Sequence, residues 1–248
     1  MGFSAIAASP GMRAVWRRAD PDLPAEVEPF SFVSAAVLGH VARALGLSPG
    51  ETLVDLGCGR GGPGLWLARM AGASLVGVDF SAVAVGQASR RAGSFGLEGR
   101  ARFVVGDLAA TGLADGVADA VVSVDALHFA ADVPAAGREV LRILRPGRRL
   151  VLTGWQPRTA GDPRLPGRLG VDWAAALGSA GLAEVAVEAR PEWHELFTRV
   201  YEVALELDAA GDEALAALQG EARQHLPLAG LVDRVVVTAT RPAPGPGG

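Results

Sequence analysis

The sequence contains neither lysine nor asparagine, and all 23 of its basic residues are arginine. The absence of lysine excludes Schiff-base catalysis and the phosphate-binding lysine of a P-loop. Cys58 is the single cysteine, so no disulfide can form within these 248 residues, and this usage fits a reducing compartment. The four histidines are far apart and show no metal-ligand spacing, so we expect no metal.

Positive charge is neither in excess nor clustered. The formal net charge is −4 at pH 7 and the arginines are scattered, so we expect no nucleic-acid partner. No apolar run approaches the roughly 20 residues that a membrane-spanning helix needs. The N-terminal residues lack the pattern of a secretory signal, and Ile6 replaces the Ser or Thr of a myristoylation site. We therefore expect a cytoplasmic protein with no membrane partner.

Short β-rich runs alternate with helical patterns in the middle of the chain, which is typical of a parallel sheet covered by helices. Seven strands are predicted, at 52–56, 74–79, 102–107, 118–125, 148–155, 182–190 and 231–241. Ser81 and Asp132 directly precede helical patterns and are predicted N-caps. The last two strands are joined without a crossover, which favours an antiparallel final strand.

The length predicts one elaborated domain, which we place at 30–241. We predict an irregular N-terminal arm at 1–29 and a disordered tail at 242–248. An amphipathic helix over about 30–46 forms an N-terminal cap. A helical insert over about 192–226 separates the sixth and seventh strands.

The segment VDLGCGRGGPG, at 54–64, places five glycines between a strand and a helix. Such a turn lies at the carboxyl edge of an α/β sheet, where these folds bind ligands. The glycines fit two patterns: G-x-G-x-x-G, the dinucleotide fingerprint, and G-x-G-x-G, which here follows Asp55. The turn alone therefore leaves two classes of nucleotide open.

Three carboxylates bear on this choice, and two of them discriminate between the classes. Asp79, at the end of the second strand, can accept hydrogen bonds from the ribose of either class. Asp107, at the end of the third strand, can accept one from an adenine amino group. A carboxylate at Asp55 repels a pyrophosphate and suits an ammonium group. Together they favour an adenosine linked to an amino acid.

Five segments in order resemble the motifs of class I S-adenosylmethionine (SAM)-dependent methyltransferases: VDLGCGRGGPGLWLA, VGVDFS, FVVGDLAATGL, ADAVVSVDALHF and VLRILRPGRRLVLTGW. The resemblance covers about residues 50–155 and is closest to the small-molecule branch, which includes ubiquinone-biosynthesis-type and bacterial natural-product tailoring enzymes. It implies a Rossmann-like α/β fold, with seven strands, the last one antiparallel, and helices on both faces. It also implies SAM as the cofactor and S-adenosylhomocysteine (SAH) as its product.

The resemblance further implies which positions hold the cofactor. The methionine part would contact Asp55, Gly57 and Gly59, and its amino-group end would contact Ser123 to Ala126. The ribose would contact Asp79. The adenine would contact Phe80, Asp107 and Leu108. In similar enzymes the N-terminal helix folds over the cofactor. Phe30 and Phe32 begin that helix here, where a hydrophobic staple is the alternative interpretation.

Three residues are candidates for the acceptor side of the site. His128 follows the fourth strand and is the first candidate for a general base, with packing against the methionine end of SAM as an equal alternative. One helix face is predicted to carry three aromatic residues, Trp193, Phe197 and Tyr201. This face belongs either to the core or to a lid over the acceptor. Tyr201 can orient an acceptor through its hydroxyl, and His194, one position off that face, ranks below His128.

We therefore expect methyl transfer from SAM to an O, N or C atom of a small organic acceptor, in bacterial secondary metabolism. The first alternative is a SAM-binding protein of this fold that catalyses a non-methylating reaction such as a cyclisation. The others are an NAD-dependent oxidoreductase and a SAM-sensing binding module. The sequence predicts no oligomeric state.

Overall fold

The computed structural model describes residues 8–28 and 31–243 of the chain. Its strands form one sheet: β1 (Thr52–Leu56), β2 (Ser74–Asp79), β3 (Ala101–Val105), β4 (Ala118–Val124), β5 (Leu144–Pro157), β6 (Ala183–Ala189) and β7 (Val232–Thr240). Their spatial order is β3-β2-β1-β4-β5-β7-β6. Strands β1 to β5 pair in parallel, and β7 runs antiparallel to both β5 and β6. The predicted seven-stranded sheet with an antiparallel last strand is confirmed.

The strand order reverses between β1 and β4, because the chain moves outward from β1 to β3 and then returns to the other side. In open α/β sheets the carboxyl ends of the strands at such a point form a crevice that binds ligands. The glycine-rich turn follows β1 directly. The topology therefore places the 54–64 segment at the expected binding edge.

The helices pack on both faces of the sheet. They are α1 (Pro10–Ala19), α2 (Ala35–Leu45), α3 (Gly62–Ala71), α4 (Ala82–Arg91), α5 (Val133–Ile143), α6 (Trp173–Ser179), α7 (Pro191–Glu206) and α8 (Glu213–His225). Adjacent residues of a strand point to opposite faces. Val121 accordingly packs in the core with α5 and α6, whereas Val122 packs in the core with α2 and α3.

A third apolar cluster joins α1 to the helical insert α7–α8. The start of α1 is fixed there because Ser9 Oγ and the Gly11 N–H both donate to Asp212 Oδ2, over 2.7 Å and 2.9 Å. The prediction of irregular structure is thus wrong for residues 10–19. Ser9 caps this helix by accepting from the Met12 N–H, and Pro10 occupies its first turn. Residues 1–7 lie outside the described chain.

Other predicted boundaries shift by a few residues. Helix α2 begins at Ala35 with Ser34 as its N-cap, so Phe32 precedes the helix, and Phe30 lies outside the described residues. The predicted caps Ser81 and Asp132 are confirmed, because each accepts a hydrogen bond from the backbone N–H three residues ahead. Of the predicted tail, 242–243 has no regular structure and 244–248 lies outside the description. Within the described chain no helix has the length and apolar character to cross a membrane.

Candidate cofactor and acceptor site

A cavity of about 860 Å³ lies at the carboxyl ends of β1, β2 and β4. The glycine-rich turn and three aspartates line one part of it. Aromatic side chains from β5 and α7 line another part, together with polar side chains from α8. The cavity is therefore large enough for two ligands, with a polar and an aromatic compartment.

The glycine-rich turn is held tightly against β2. The N–H groups of Gly57 and Cys58 both donate to the Val78 carbonyl oxygen, over 2.8 Å and 3.0 Å. Gly57 has φ of +74°, and a Cβ on it would lie 2.3 Å from the Cβ of Ala126. Only glycine fits this position, since both its backbone angle and its surroundings exclude a side chain.

Asp55 lies beneath this turn, at the end of β1, and is only 2% exposed. Burial, with the negative charge of Asp79, raises its pKa to about 7. Its carboxyl group receives no hydrogen bond from any residue of 8–28 or 31–243. A Cβ on Gly64 would lie 2.3 Å from Asp55 Oδ2, so the start of α3 packs directly on this carboxyl. A buried carboxyl without a donor suits a cationic group on a ligand.

Asp79 is also buried, but it is hydrogen-bonded. Its Oδ2 accepts from the Gly59 N–H over 2.8 Å and its Oδ1 from the Ser81 N–H over 2.9 Å. A carboxylate has about four lone-pair sites, so both oxygens can accept further hydrogen bonds from hydroxyl groups. The two backbone bonds fix the position in which Asp79 meets a ligand.

The adenine end of the expected site combines an apolar surface with a carboxylate. The Phe80 ring lines the cavity yet is 80% exposed, which leaves it free to cover a flat ligand. Asp107 is exposed beside Leu108, and its Oδ1 accepts from the Ala109 N–H over 2.8 Å. Both residues line the same cavity as Asp55 and Asp79.

The structure thus brings most of the implied cofactor residues together. Those that line the cavity are Asp55, Gly57, Gly59, Asp79, Phe80, Asp107, Leu108 and Ala126. Ser123 does not, which corrects the expectation for this residue. Its side chain is fully buried, and its Oγ donates to the Leu56 carbonyl oxygen over 2.9 Å, so it ties β4 to β1.

His128 lies in the short 3₁₀ turn Leu127–Phe129 and lines the cavity. It is only 6% exposed, and its Nδ1 has no hydrogen-bond partner among the described residues. Burial lowers the pKa of His128 to about 4. The imidazole is therefore neutral near pH 7 and has a nitrogen available for a ligand.

The other two candidates on the acceptor side differ in position. Tyr201 lines the cavity, and its hydroxyl lies 2.8 Å from Glu221 Oε1 and 3.2 Å from His225 Nδ1. His194 does not line the cavity, so its expected place in the site is corrected. Its ring packs on Trp155, because it sits one position off the aromatic face of α7.

Arg234, Glu221 and His225 were not predicted at the site, and Asp125 fell within the predicted range 123–126 without a role of its own. Asp125, with φ of +51°, pairs with the fully buried Arg234, while Glu221 and His225 reach the cavity from α8. The one available signal for Arg234 was its own position, as a charged residue inside the apolar run of β7. Among the described residues no group of three or more potential ligands is arranged for a metal ion.

Comparisons with known proteins agree with this architecture. Residues 54–152 match the family model described as "Methyltransferase domain". The chain is 33% identical over 132 residues to methyltransferase GfsG of Streptomyces halstedii, covering 53% of this chain and 47% of the relative. It is 30% identical over 152 residues to the sterol 24-C-methyltransferase erg6 of Aspergillus fumigatus, covering 60% and 40%. The chain thus spans less than half the length of these two relatives.

Solved structures extend the likeness to nearly the whole chain. The [4+2]-cyclase SpnF superposes with a TM-score of 0.74 and 27% identity, covering 84% of this chain and 81% of that one. A geranyl diphosphate methyltransferase in complex with SAM superposes with a TM-score of 0.68 and 20% identity, covering 96% and 94%. The family match identifies residues 54–152 as a methyltransferase domain, and the ordered motifs and the seven-stranded sheet are those of the class I SAM-dependent methyltransferases.

Proposed function

We propose that the protein transfers the methyl group of SAM to a small organic acceptor. The observation that carries this proposal is the pairing of two compartments in one cavity. One holds the unpartnered Asp55 carboxyl and the hydrogen-bonded Asp79 carboxylate, and the other is walled by aromatic rings. A charged nucleoside and an apolar acceptor can therefore lie side by side.

The residues of the polar compartment fit SAM by their chemistry. Asp55 would receive the ammonium group of the methionine part, and Asp79 would accept hydrogen bonds from the ribose hydroxyls. Phe80 and Leu108 would cover the adenine ring, with Asp107 accepting from its amino group. When bound, SAM supplies a methyl group attached to a positively charged sulfur. This charge makes SAH a good leaving group.

The aromatic compartment favours a flat, apolar acceptor. The rings of Phe32, Trp155 and Tyr201 all surround Phe197, with centroid distances of 4.8, 4.6 and 4.8 Å in edge-on geometry. Rigid rings hold an acceptor in one orientation. Good orientation of the reactants can lower the activation free energy by roughly 7–11 kcal/mol. His128 would take the proton that a hydroxyl or amine acceptor loses.

We assign the reaction to bacterial secondary metabolism and to the cytoplasm. Two observations support this assignment. The motifs resemble those of natural-product tailoring enzymes, and a matched relative is a methyltransferase of Streptomyces halstedii. The reducing compartment inferred from the single cysteine is consistent with it.

The test is an incubation of the purified protein with SAM and a panel of apolar alcohols, phenols and amines. Mass spectrometry would quantify SAH and any product heavier by one methylene unit. We expect the two to form in equal amounts, and Asp79→Asn to suppress both. Acceptor conversion without SAH would overturn the proposal.

A second function is favoured by one specific observation, the likeness to the [4+2]-cyclase SpnF at 27% identity over 84% of the chain. In this alternative SAM or SAH is held but not consumed, and the acceptor is rearranged by a cyclisation. The product then has the same mass as its precursor, and no SAH accumulates. Chromatographic loss of the precursor without SAH formation therefore separates this function from methyl transfer.

A further inference from the structure

Three polar side chains of the helical insert meet at the wall of the cavity. Tyr201 comes from α7, and Glu221 and His225 come from α8. The Tyr201 hydroxyl lies 2.8 Å from Glu221 Oε1 and 3.2 Å from His225 Nδ1, and His225 Nδ1 lies 3.6 Å from Glu221 Oε1. All three residues line the cavity. We call them the insert cluster.

The insert cluster lies in an otherwise apolar part of the compartment. The neighbouring lining residues from α1, α8, the turn after it and β7 are Met12, Leu218, Leu228, Ala229 and Val232. The Phe32 and Phe197 rings pack against the Tyr201 ring at 5.2 Å and 4.8 Å. A ligand in this compartment would meet apolar surface and one group of polar atoms. Such sparse polar groups fix ligand orientation and give specificity.

The direction of the hydrogen bonds in the cluster follows from its chemistry. Burial, followed by the Glu221 charge, raises the pKa of Tyr201 well above its usual range, so the phenol keeps its proton. A carboxylate only accepts, so Tyr201 donates this proton to Glu221. The tyrosine oxygen then accepts from His225, whose Nδ1 must carry hydrogen. In a neutral imidazole this leaves Nε2 as the hydrogen-bond acceptor.

We propose that His225 accepts a hydrogen bond from a hydroxyl group on an otherwise apolar acceptor molecule, with Tyr201 and Glu221 as the positioning residues. This inference rests on the proposed function, because it names the acceptor class for the same cavity. The acceptor class is an apolar alcohol or phenol whose hydroxyl meets α8 while another part of the molecule meets the cofactor.

A role in packing alone does not account for this arrangement. Glu221 already joins α8 to α7 through Tyr201, without any need for a histidine. Nε2 of His225 makes no hydrogen bond within the described residues, although Nδ1 is held in place. A polar atom left unpaired when a ligand covers it costs free energy, so a ligand with a donor at that point is favoured over one without.

The test compares two probes on the SAH-loaded protein: 1-hydroxypyrene, which has a hydroxyl donor, and 1-methoxypyrene, which lacks one. Fluorescence titration gives both dissociation constants. A neutral hydrogen bond corresponds to about a fivefold preference for 1-hydroxypyrene. We expect His225→Ala to abolish that preference, and His225→Gln to retain part of it because the glutamine oxygen can also accept.

The positioning residues are tested by Tyr201→Phe, which keeps the ring and removes the hydroxyl that bridges Glu221 and His225. We expect the preference for 1-hydroxypyrene over 1-methoxypyrene to fall to about half of its wild-type value or less. The affinity for 1-methoxypyrene should stay within about twofold of the wild type, since the apolar wall is retained. A purely structural role would weaken both probes equally. Gln224→Ala, at an exposed position of the same helix, is the control and should change neither constant.

Equal affinity of the wild type for the two probes would overturn the inference. So would failure of both probes to bind, or a preference that persists in His225→Ala. The SAH titration that precedes each experiment separates this failure from that of the proposed function. Loss of SAH binding contradicts the cofactor site, whereas intact SAH binding without hydroxyl preference contradicts the insert cluster alone.

Discussion

Arg234 on β7 and Asp125 at the end of β4 form a two-point ion pair in the interior, with Nη1 2.7 Å from Oδ1 and Nη2 3.2 Å from Oδ2. Thr153 Oγ1 and the Phe32 N–H also donate to the Asp125 carboxylate. The Arg234 guanidinium carbon lies 4.6 Å from the centre of the Trp155 ring. One buried pair therefore fixes the segment before α2, two strands and an aromatic wall of the cavity.

We predict that Arg234→Met lowers the free energy of unfolding by about 3–5 kcal/mol, because Asp125 is left buried without its counter-ion. Urea denaturation followed by circular dichroism measures this loss. Arg158→Met is the matched control. Its pair with Asp233 is 2.8 Å long but half exposed, so the expected loss is below about 1 kcal/mol. Similar losses in both variants would contradict the assigned role of the buried pair.

Asp55 should make stability fall as pH rises. Its pKa is about 7 in the folded protein against 3.8 in an ordinary aspartate, so between these pH values the folded state holds a proton that the unfolded state has released. That proton is lost from the folded state as pH rises through 7, and the associated stability, up to about 4 kcal/mol, is lost with it. We expect Asp55→Asn to match the wild type near pH 4 and to exceed it at pH 8. A constant difference across that range would refute the assignment.

Two glycines test the geometry of the cofactor turn. Gly57→Ala places a Cβ 2.3 Å from Ala126 at φ of +74°, so we expect at least a tenfold loss of SAH affinity, about 1.4 kcal/mol or more. Gly86→Ala, inside α4, meets only Arg90 Nη1 at 3.7 Å and should stabilise the fold by about 0.5–1 kcal/mol. Thermal unfolding with and without SAH measures both. Unchanged SAH affinity in Gly57→Ala would show that the turn does not hold the cofactor.

His128→Ala should lower turnover by roughly 100-fold or more for a hydroxyl or amine acceptor, as expected for loss of a general base. SAH affinity should remain within about twofold if His128 acts on the acceptor and not on the cofactor. Steady-state kinetics and SAH titration on the same preparation give both numbers. An equal loss of SAH binding would mean that His128 packs against the cofactor. His40→Ala, on α2 and away from the cavity, is the control.

The sequence predicted the sheet well because each strand is a short apolar run bounded by turn residues. The bounds of β1 and β2 match in full, since a glycine cluster and a capped helix follow them. The helix α1 was missed, although Ser9 followed by Pro10 is a start signal for a helix. Its apolar face is explained only by α7 and α8, which come about 180 residues later in the chain.

Pairings between distant residues could not be predicted. Asp125 and Arg234 are 109 residues apart, and their contact depends on β7 lying beside β5. The insert cluster likewise depends on the angle at which α7 and α8 meet. Ser123 illustrates the same point within one strand, because side chains alternate between faces and Ser123 points toward Leu56 and away from the cavity.

The most direct measurement is a calorimetric titration of the purified protein with SAH, SAM and NAD in parallel, for the wild type, Asp79→Asn and the exposed control Asp115→Asn. We predict that SAH and SAM bind and NAD does not. Asp79→Asn should weaken SAH binding at least tenfold, about 1.4 kcal/mol, and Asp115→Asn should leave it unchanged. Binding of NAD without binding of SAH would contradict the cofactor assignment on which the proposed methyl transfer depends.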